Sequence, residues 1–75
     1  MKLQTVNVIE VIDMAVSQVF SFTDSEDGNR EAEAMFAKLG KENGMEAEDL
    51  EGSLDDGYWN DEGANAYNVF ITHSS

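Results

Sequence analysis

A chain of 75 residues that carries 16 Asp and Glu against 4 Lys and Arg has a formal net charge of −12, and it contains no cysteine. This length predicts one small domain, residues 1–75, with a single modest core. The composition excludes disulfides, zinc–thiolate sites and thiol nucleophiles, and the one-sided charge argues against binding to nucleic-acid phosphates or to anionic membranes.

The amino-terminal residues predict neither export nor a membrane anchor. No stretch of the chain approaches the roughly 20 consecutive apolar residues that span a bilayer. Residues 1–13, MKLQTVNVIEVID, lack the cleavage site of a signal peptide and carry acids among their apolar residues. Together with the absence of cysteine, this pattern predicts a soluble cytoplasmic protein without a membrane partner.

Two strands are predicted before residue 24. Residues 3–13 are rich in Val and Ile, and both alternating sets carry apolar side chains, so we expect this strand to be central or covered on both faces. Asp13-Met14 predicts a tight turn. Residues 16–23 then alternate, with Val16, Gln18, Phe20 and Phe22 on one side and Ser17, Val19, Ser21 and Thr23 on the other. We expect the side with the two phenylalanines to form the floor beneath a helix.

Residues 25–43 are predicted to form the main amphipathic helix. Its apolar face, at the helical spacing i, i+3, i+4 and i+7, is formed by Ala32, Met35, Phe36 and Leu39. Ser25 can cap the amino end, and Asn43-Gly44 can end the helix in a left-handed turn. Acids in the first turn and lysines in the last turns suit the helix dipole. Gly28 is the unfavourable residue, at a cost of about 1 kcal/mol relative to Ala, so the helix could instead start at Asn29.

A shorter helix and two more strands are predicted after residue 44. Ala47, Leu50 and Leu54 have helical spacing and predict a short helix that ends at Gly57. Residues 66–73 alternate and predict the final strand, with Tyr67, Val69 and Ile71 on one side and Asn68, Phe70 and Thr72 on the other. We expect Tyr58-Trp59 to pair with this strand as a short hairpin.

These elements predict an α+β fold, in which a small antiparallel sheet of three to four strands, in β-β-α-(α)-β order, carries the helix of residues 25–43 on one face. One helix covers only one face of a sheet. We therefore do not expect all of the following to lie beneath it: Val6, Val8, Val19, Val69 and Ile71. The other face is either covered by the short helix and the Tyr58-Trp59 segment, or it binds a second copy of the chain.

No catalytic site, metal site, cofactor or nucleic-acid-binding site is predicted. His73 is the only histidine, and no serine lies in a nucleophile turn. The chain lacks a Gly-rich phosphate loop, none of its glycines fits the EF-hand register, and Tyr58-Trp59 has no adjacent cation to support nucleobase stacking. Weak binding of a hard cation stays open for Asp55, Asp56, Asp61 and Glu62. So short a chain leaves little room for a pocket above about 300 Å³, so we expect no enzyme activity.

The best candidate for a functional surface is the acidic arc, which we define as residues 46–62. It contains eight carboxylates, and the chain has no Lys or Arg after Lys41. Aromatic rings among like charges are typical of a surface that captures a basic partner, because the rings supply anchoring area and the carboxylates steer the encounter. The candidate protein-binding residues are Glu48, Asp49, Glu51, Asp55, Asp56, Tyr58, Trp59, Asp61 and Glu62. The alternative is an acidic surface that only keeps the protein soluble.

In length, charge and lack of cysteine, the chain resembles the small proteins of phages and mobile elements that inhibit host nucleic-acid enzymes, some of which mimic DNA. No sequence motif contributes to this resemblance. It implies a protein partner whose basic, nucleic-acid-binding surface is blocked. Two hypotheses follow. The chain is either a non-enzymatic interaction module of this kind, or a structural or regulatory homodimer whose interface is the apolar sheet face and whose charge serves only solubility.

Overall fold

The computed structural model describes residues 4–61 and 66–74. In chain order the elements are β1 (Thr5–Ile12), β2 (Ala15–Thr23), α1 (Glu26–Glu42), a 3-10 turn (Ala47–Asp49), α2 (Leu50–Asp56), β3 (Tyr58–Asn60) and β4 (Tyr67–Ser74). These strands form one antiparallel sheet in the order β2-β1-β4-β3. The predicted α+β class and the order of elements are confirmed, and β3 is the short fourth strand.

The first strand is central in the sheet, as its apolar residues on both faces predict. β1 pairs with β2 on one side and with β4 on the other, so Val8 lies between Phe20 and Ile71. The tight turn between β1 and β2 consists of Asp13 and Met14, with φ of 54° and 67°. Positive φ values of this kind are those of the turns that join strands through two residues.

The helix α1 packs across β1, β2 and β4 and covers one face of the sheet. The buried core beneath it consists of Val6, Val8, Ala32, Phe36, Leu39, Met45, Tyr67 and Val69. Phe20 and Phe22 pack against this core, which confirms the predicted floor under the helix. Since each fully buried apolar side chain is worth about 1.5–3 kcal/mol, this layer is the main source of stability.

The helix α1 begins at the Ser25 cap and not at Asn29, the alternative start, and its carboxyl end lies where the sequence predicts it. The Gly28 N–H donates to the Ser25 Oγ at 3.1 Å, so Ser25 caps the amino end. At the carboxyl end, the Met45 N–H donates to the Gly40 carbonyl oxygen at 2.8 Å, and Gly44 adopts a φ of +106°. These contacts satisfy backbone groups that a helix end otherwise leaves without partners.

The interpretation of Gly28 as an unfavourable helix residue is wrong in this context. Gly28 is buried, and a Cβ at this position would overlap the backbone carbonyl oxygen of Thr23. That carbonyl ends β2 and accepts the Ser25 N–H at 2.8 Å. A glycine is therefore needed where the first turn of α1 passes the end of β2, because any side chain would push the helix off the sheet.

The predicted orientation of Val16 is also wrong, because β2 contains a β-bulge. Glu10 pairs with Gln18 but Val11 pairs with Val16, so Ser17 is an extra residue in β2. Beyond such a bulge the alternation of side chains shifts by one residue. Val16 consequently joins Val11 on the face of the sheet away from α1, where it is 63% exposed.

We call the face away from α1 the open face. By alternation and pairing, its described residues are Thr5, Asn7, Ile9, Val11, Val16, Val19, Ser21, Thr23, Tyr58, Asn60, Asn68, Phe70 and Thr72. The sequence leaves open which face of the sheet carries each of five apolar residues: Val6, Val8, Val19, Val69 and Ile71. Of these, only Val19 lies on the open face. Val6, Val8 and Val69 are buried beneath α1, and Ile71 is half-buried against the same core.

The short helix α2 lies on the same side of the sheet as α1. Leu50, Leu54 and Trp59 pack against the buried core, so in the part of the chain that the structure describes, neither α2 nor Trp59 covers the open face. The interpretation in which α2 and the Tyr58-Trp59 segment together cover the open face does not hold, since only Tyr58 lies there. No helix in residues 4–61 and 66–74 has the length and apolar character needed to cross a membrane.

Substitution of Gly28 tests the helix–sheet contact. We expect Gly28→Ala to lower the free energy of unfolding by about 1–3 kcal/mol, because the overlap with a backbone carbonyl outweighs the gain in helix propensity. Gly52→Ala is the matched control, since Gly52 lies in α2 with no atoms within 4 Å of an added Cβ. The control should raise stability by up to about 1 kcal/mol. Urea unfolding measures both changes, and a stabilised Gly28→Ala variant would contradict this account.

Candidate functional site

An acidic groove lies beside the carboxyl end of α1, between α2 and β3. It is open to solvent and has a volume of about 600 Å³. Its lining residues are Gly44, Glu48, Asp49, Gly52, Ser53, Asp56, Trp59, Asn60 and Asp61. We use the name acidic groove for this set. The 3-10 turn and α2 supply one wall, and β3 supplies the other.

A sharp change of direction at Gly57 brings the two walls together. Gly57 adopts a left-handed φ of 79°, and its N–H donates to the Ser53 carbonyl oxygen at 2.9 Å. The Gly57 carbonyl oxygen in turn accepts the Ile71 N–H at 2.8 Å, which ties the end of α2 to β4. β3 therefore begins directly after α2, and Asp56 comes to face the same groove as Trp59.

Pairing with β4 sets the orientation of Trp59. Trp59 lies opposite Val69, so its side chain points to the α1 side of the sheet. The indole is half-buried, and its centroid lies 6.1 Å from that of the Tyr67 ring at an interplanar angle of 57°. A half-buried aromatic ring that also lines an open groove offers a rigid apolar contact surface beside the carboxylates.

The electrostatics of the groove are one-sided. Four of its lining residues are carboxylates and none is basic. The last turn of α2 contains Asp55 and Asp56 and has no basic residue. Carboxylates near the carboxyl end of a helix face the negative end of its dipole, at a cost of roughly 0.3–1 kcal/mol each. This part of the protein thus carries negative charge that a cation would stabilise.

The structure brings together part of the predicted protein-binding set. Glu48, Asp49, Asp56, Trp59 and Asp61 line the groove. Two others, Glu51 and Asp55, are exposed on α2 and do not line it. Glu62 lies outside the described residues.

Tyr58 is separated from this set by the sheet itself. It lies opposite Phe70 on the open face, where the two rings stack with centroids 6.2 Å apart and an interplanar angle of 28°. Side chains of adjacent residues in a strand point to opposite faces, so the Tyr58 ring lies on the other face of the sheet from the Trp59 ring and does not line the groove. The sequence interpretation, which treats them as a pair, did not apply this alternation.

Small and neutral residues of the groove were missed by sequence reasoning. Gly44 and Gly52 leave the groove concave, and Ser53 is a buried residue of α2 that faces it. The signal lies in the sequence itself, because a glycine that ends or weakens a helix also lacks a side chain and so leaves space.

The sequence predicts little room for a pocket above about 300 Å³. The groove has a volume of about 600 Å³, but it is open to solvent and is not an enclosed cavity. It contains no histidine; His73 lies near the opposite end of the sheet, where its Nε2 is 3.2 Å from the Asn29 Oδ1. Across residues 4–61 and 66–74, no group of three or more His, Asp or Glu side chains is placed to hold a metal ion.

A second polar cluster, which the sequence interpretation missed, is buried beneath the carboxyl end of α1. Glu10 is only 5% exposed, and its carboxylate accepts the Tyr67 O–H at 2.7 Å and the Gln18 Nε2 at 3.1 Å. The cluster links β2, β1 and β4. Burial, the hydrogen bond to Glu10 and the negative charges of Glu10 and Glu42 raise the pKa of Tyr67 far above its usual value.

This cluster is structural in character. It borders a second cavity of about 500 Å³, lined by Ile12, Glu42, Asn43, Asp61 and Tyr67. No buried side-chain nitrogen or oxygen in the described part of the chain lacks a hydrogen-bond partner. The carboxylate of Glu10 and the phenol of Tyr67 satisfy each other by a buried hydrogen bond.

The raised pKa of Tyr67 predicts how stability depends on pH. Above pH of about 10 the unfolded chain loses the phenol proton while the folded protein keeps it, so the free energy of unfolding should fall by about 1.4 kcal/mol per pH unit. Below that pH the contribution is fully present. Tyr67→Phe should remove this alkaline slope and lower stability at pH 7 by about 1–3 kcal/mol, because Glu10 loses its donor.

Tyr58→Phe is the control for this experiment, since Tyr58 is 48% exposed on the open face. Urea unfolding at a series of pH values from about 7 to about 11 measures both variants. An alkaline slope that persists unchanged in Tyr67→Phe would show that the phenol is not responsible.

Comparisons with protein-family models, with curated proteins and with solved structures found no match for this chain. Its function therefore has to be inferred from the geometry and charge of its own residues.

Proposed function

We propose that this chain is a non-enzymatic protein-interaction module whose acidic groove binds a positively charged segment of a larger protein. The observation that carries the proposal is the composition of the groove: about 600 Å³, lined by four carboxylates and Trp59 and by no basic residue. A concave site that combines one aromatic wall with several charges of one sign is suited to a ligand of the opposite sign.

Arginine side chains of the partner fit this groove best. A guanidinium can pair with a carboxylate through two parallel hydrogen bonds and can stack on an aromatic face. Asp56 and Trp59 both line the groove and offer these two contacts. Cation–π contacts of this kind contribute roughly 0.5–2 kcal/mol, depending on how far water is excluded.

The charge distribution of the whole protein favours approach of a basic partner from the side of the groove. Three of the four basic residues, Arg30, Lys38 and Lys41, lie in α1. Arg30 is engaged within α1, at 3.1 Å from Asp27 and 3.6 Å from Glu26. A net charge of −12 attracts basic surfaces over a distance, and salt weakens this attraction.

The chemistry of the partner follows from this charge. Surfaces with clustered Arg and Lys are typical of nucleic-acid-binding sites, and occupation of such a site by an acidic protein blocks nucleic-acid binding. The resemblance in size and charge to inhibitors from phages and mobile elements supports the same assignment. The absence of cysteine suits a reducing compartment, so we place this interaction in the cytoplasm.

The single tryptophan provides a direct test. Trp59 is the only Trp in the chain and it lines the groove, so its fluorescence reports on occupancy. Titration with an octa-arginine peptide should change the Trp59 emission. A rise in salt from about 50 to about 300 mM should weaken binding at least about tenfold, because counter-ions screen the charges.

Two double variants that remove the same amount of charge distinguish binding in the groove from attraction by the net charge of the protein. Glu48→Gln with Asp56→Asn removes two lining carboxylates, whereas Glu51→Gln with Asp55→Asn removes two from the same helical region outside the lining. We expect the first pair to weaken peptide binding at least about fivefold and the second less than about twofold, since both change the long-range charge equally. Equal losses would mean that the groove is not the binding site.

A further inference from the structure

The open face of the sheet carries no charged residue among its described positions, although 20 of the 75 residues of the chain are charged. The Asp, Glu, Lys and Arg residues of the described ranges lie in the helices, the turns and the α1 side of the sheet. Side chains of Thr, Ser and Asn surround an apolar centre. This contrast in composition distinguishes one face from the rest of the surface.

The apolar centre is a continuous row across all four strands of the described sheet. Ile9 lies opposite Val19 on one side and Phe70 on the other, and Phe70 lies opposite Tyr58. Val19 is 55% exposed and Tyr58 is 48% exposed, while Ile9 and Phe70 are half-buried by their neighbours. The bulge in β2 adds Val16 to this surface. The row is thus aligned by strand register and is accessible.

We infer that the open face packs against the open face of a second copy of this chain to form a two-fold symmetric dimer. Any partner approaches a protein with a net charge of −12, and a second copy of the chain carries the same net charge. Two copies can approach through their uncharged faces without bringing carboxylates together, whereas any contact through the α1 side opposes two acidic surfaces. A two-fold axis places the same patch on both sides of the interface.

The separation of the acidic layers makes this arrangement electrostatically acceptable. Packed sheets lie about 10 Å apart, and each helix layer lies about 10 Å beyond its sheet. The α1 layers of the two copies are then about 30 Å apart, several times the Debye length of about 8 Å at physiological salt. Salt should therefore leave the apolar contact intact and should strengthen the dimer slightly.

The area of the open face suits a weak, reversible dimer. β1, β2 and β4 are eight or nine residues long, and β3 is three residues long. At about 3.3 Å per residue and about 4.8 Å between strands, they cover about 440 Å² per copy. The total for two copies is about 900 Å², the size of a weak or transient interface. The apolar row would occupy the centre and the hydroxyl and amide side chains the rim, as in other interfaces.

The proposed dimer interface and the acidic groove share only Asn60, at the end of β3, since Trp59 and Tyr58 point to opposite faces of the sheet. The two surfaces also respond to salt in opposite directions: binding to the groove weakens as salt rises, and the dimer does not. A negative result for one proposal therefore does not contradict the other.

Sedimentation equilibrium of the full chain, from about 1 to about 500 µM, tests the dimer. We expect a reversible monomer–dimer equilibrium in the micromolar range for the wild type. Val19→Glu should raise the dissociation constant at least about tenfold, because it buries an unpaired charge at the interface. Met14→Glu is the matched control: Met14 is 91% exposed in the β1–β2 turn, outside the open face, and its substitution should change the constant less than about twofold.

A second measurement covers the case in which Val19→Glu disturbs the fold. Concentration-dependent NMR shifts of the wild type should be centred on Ile9, Tyr58 and Phe70, which span three different strands. A monomer at every concentration overturns the inference, as does equal weakening by both variants. Shifts confined to the backbone amides of β2 would indicate edge-to-edge strand pairing, and would overturn it as well.

Discussion

A single helical layer covers a single face of the sheet, and the remaining features follow from this constraint. α1 crosses β1, β2 and β4 and buries Phe36 against Val6 and Val8. Because α2 packs on the same side, every described residue of the core lies on one side of the sheet. The alternate residues of each strand are left on a face that receives no cover from the described elements. No described residue of that face is charged, and the described Asp, Glu, Lys and Arg residues lie in the helices, in the turns or on the α1 side of the sheet.

Two local contacts set the position of α1 on the sheet and the alignment of the strands. At the amino end of α1, Gly28 passes the Thr23 carbonyl so closely that a side chain has no space. At the other end, Glu10 and Tyr67 form a buried hydrogen bond of 2.7 Å between neighbouring strands. A buried carboxylate is costly unless it is paired, so this bond also specifies the register of β4 against β1. Packing of apolar side chains alone would specify that register less sharply.

The two faces of this small protein suit different partners. The acidic groove combines carboxylates with one aromatic wall, so the proposed binding of a basic segment there would be sensitive to salt. The open face combines an apolar row with hydroxyl and amide side chains, which suits a flat surface of equal composition. Strong net charge makes these choices selective, because it attracts basic partners and restricts like-charged copies to contact through the one uncharged surface.

The sequence by itself determined the class of fold, the carboxyl end of α1, the tight turn at Asp13-Met14 and the acidic composition of the arc. These are local properties, set by side-chain periodicity, capping residues and charge within a few positions of one another. Only the tertiary structure decided that Gly28 is required, that Val16 changes face at the bulge and that Tyr58 and Trp59 serve different surfaces. It alone decided that α2 leaves the open face uncovered and that Glu10 is bonded to Tyr67. Each of these features depends on contacts between residues from distant parts of the chain. The spacing of residues along one strand or helix does not show which distant residues it will contact.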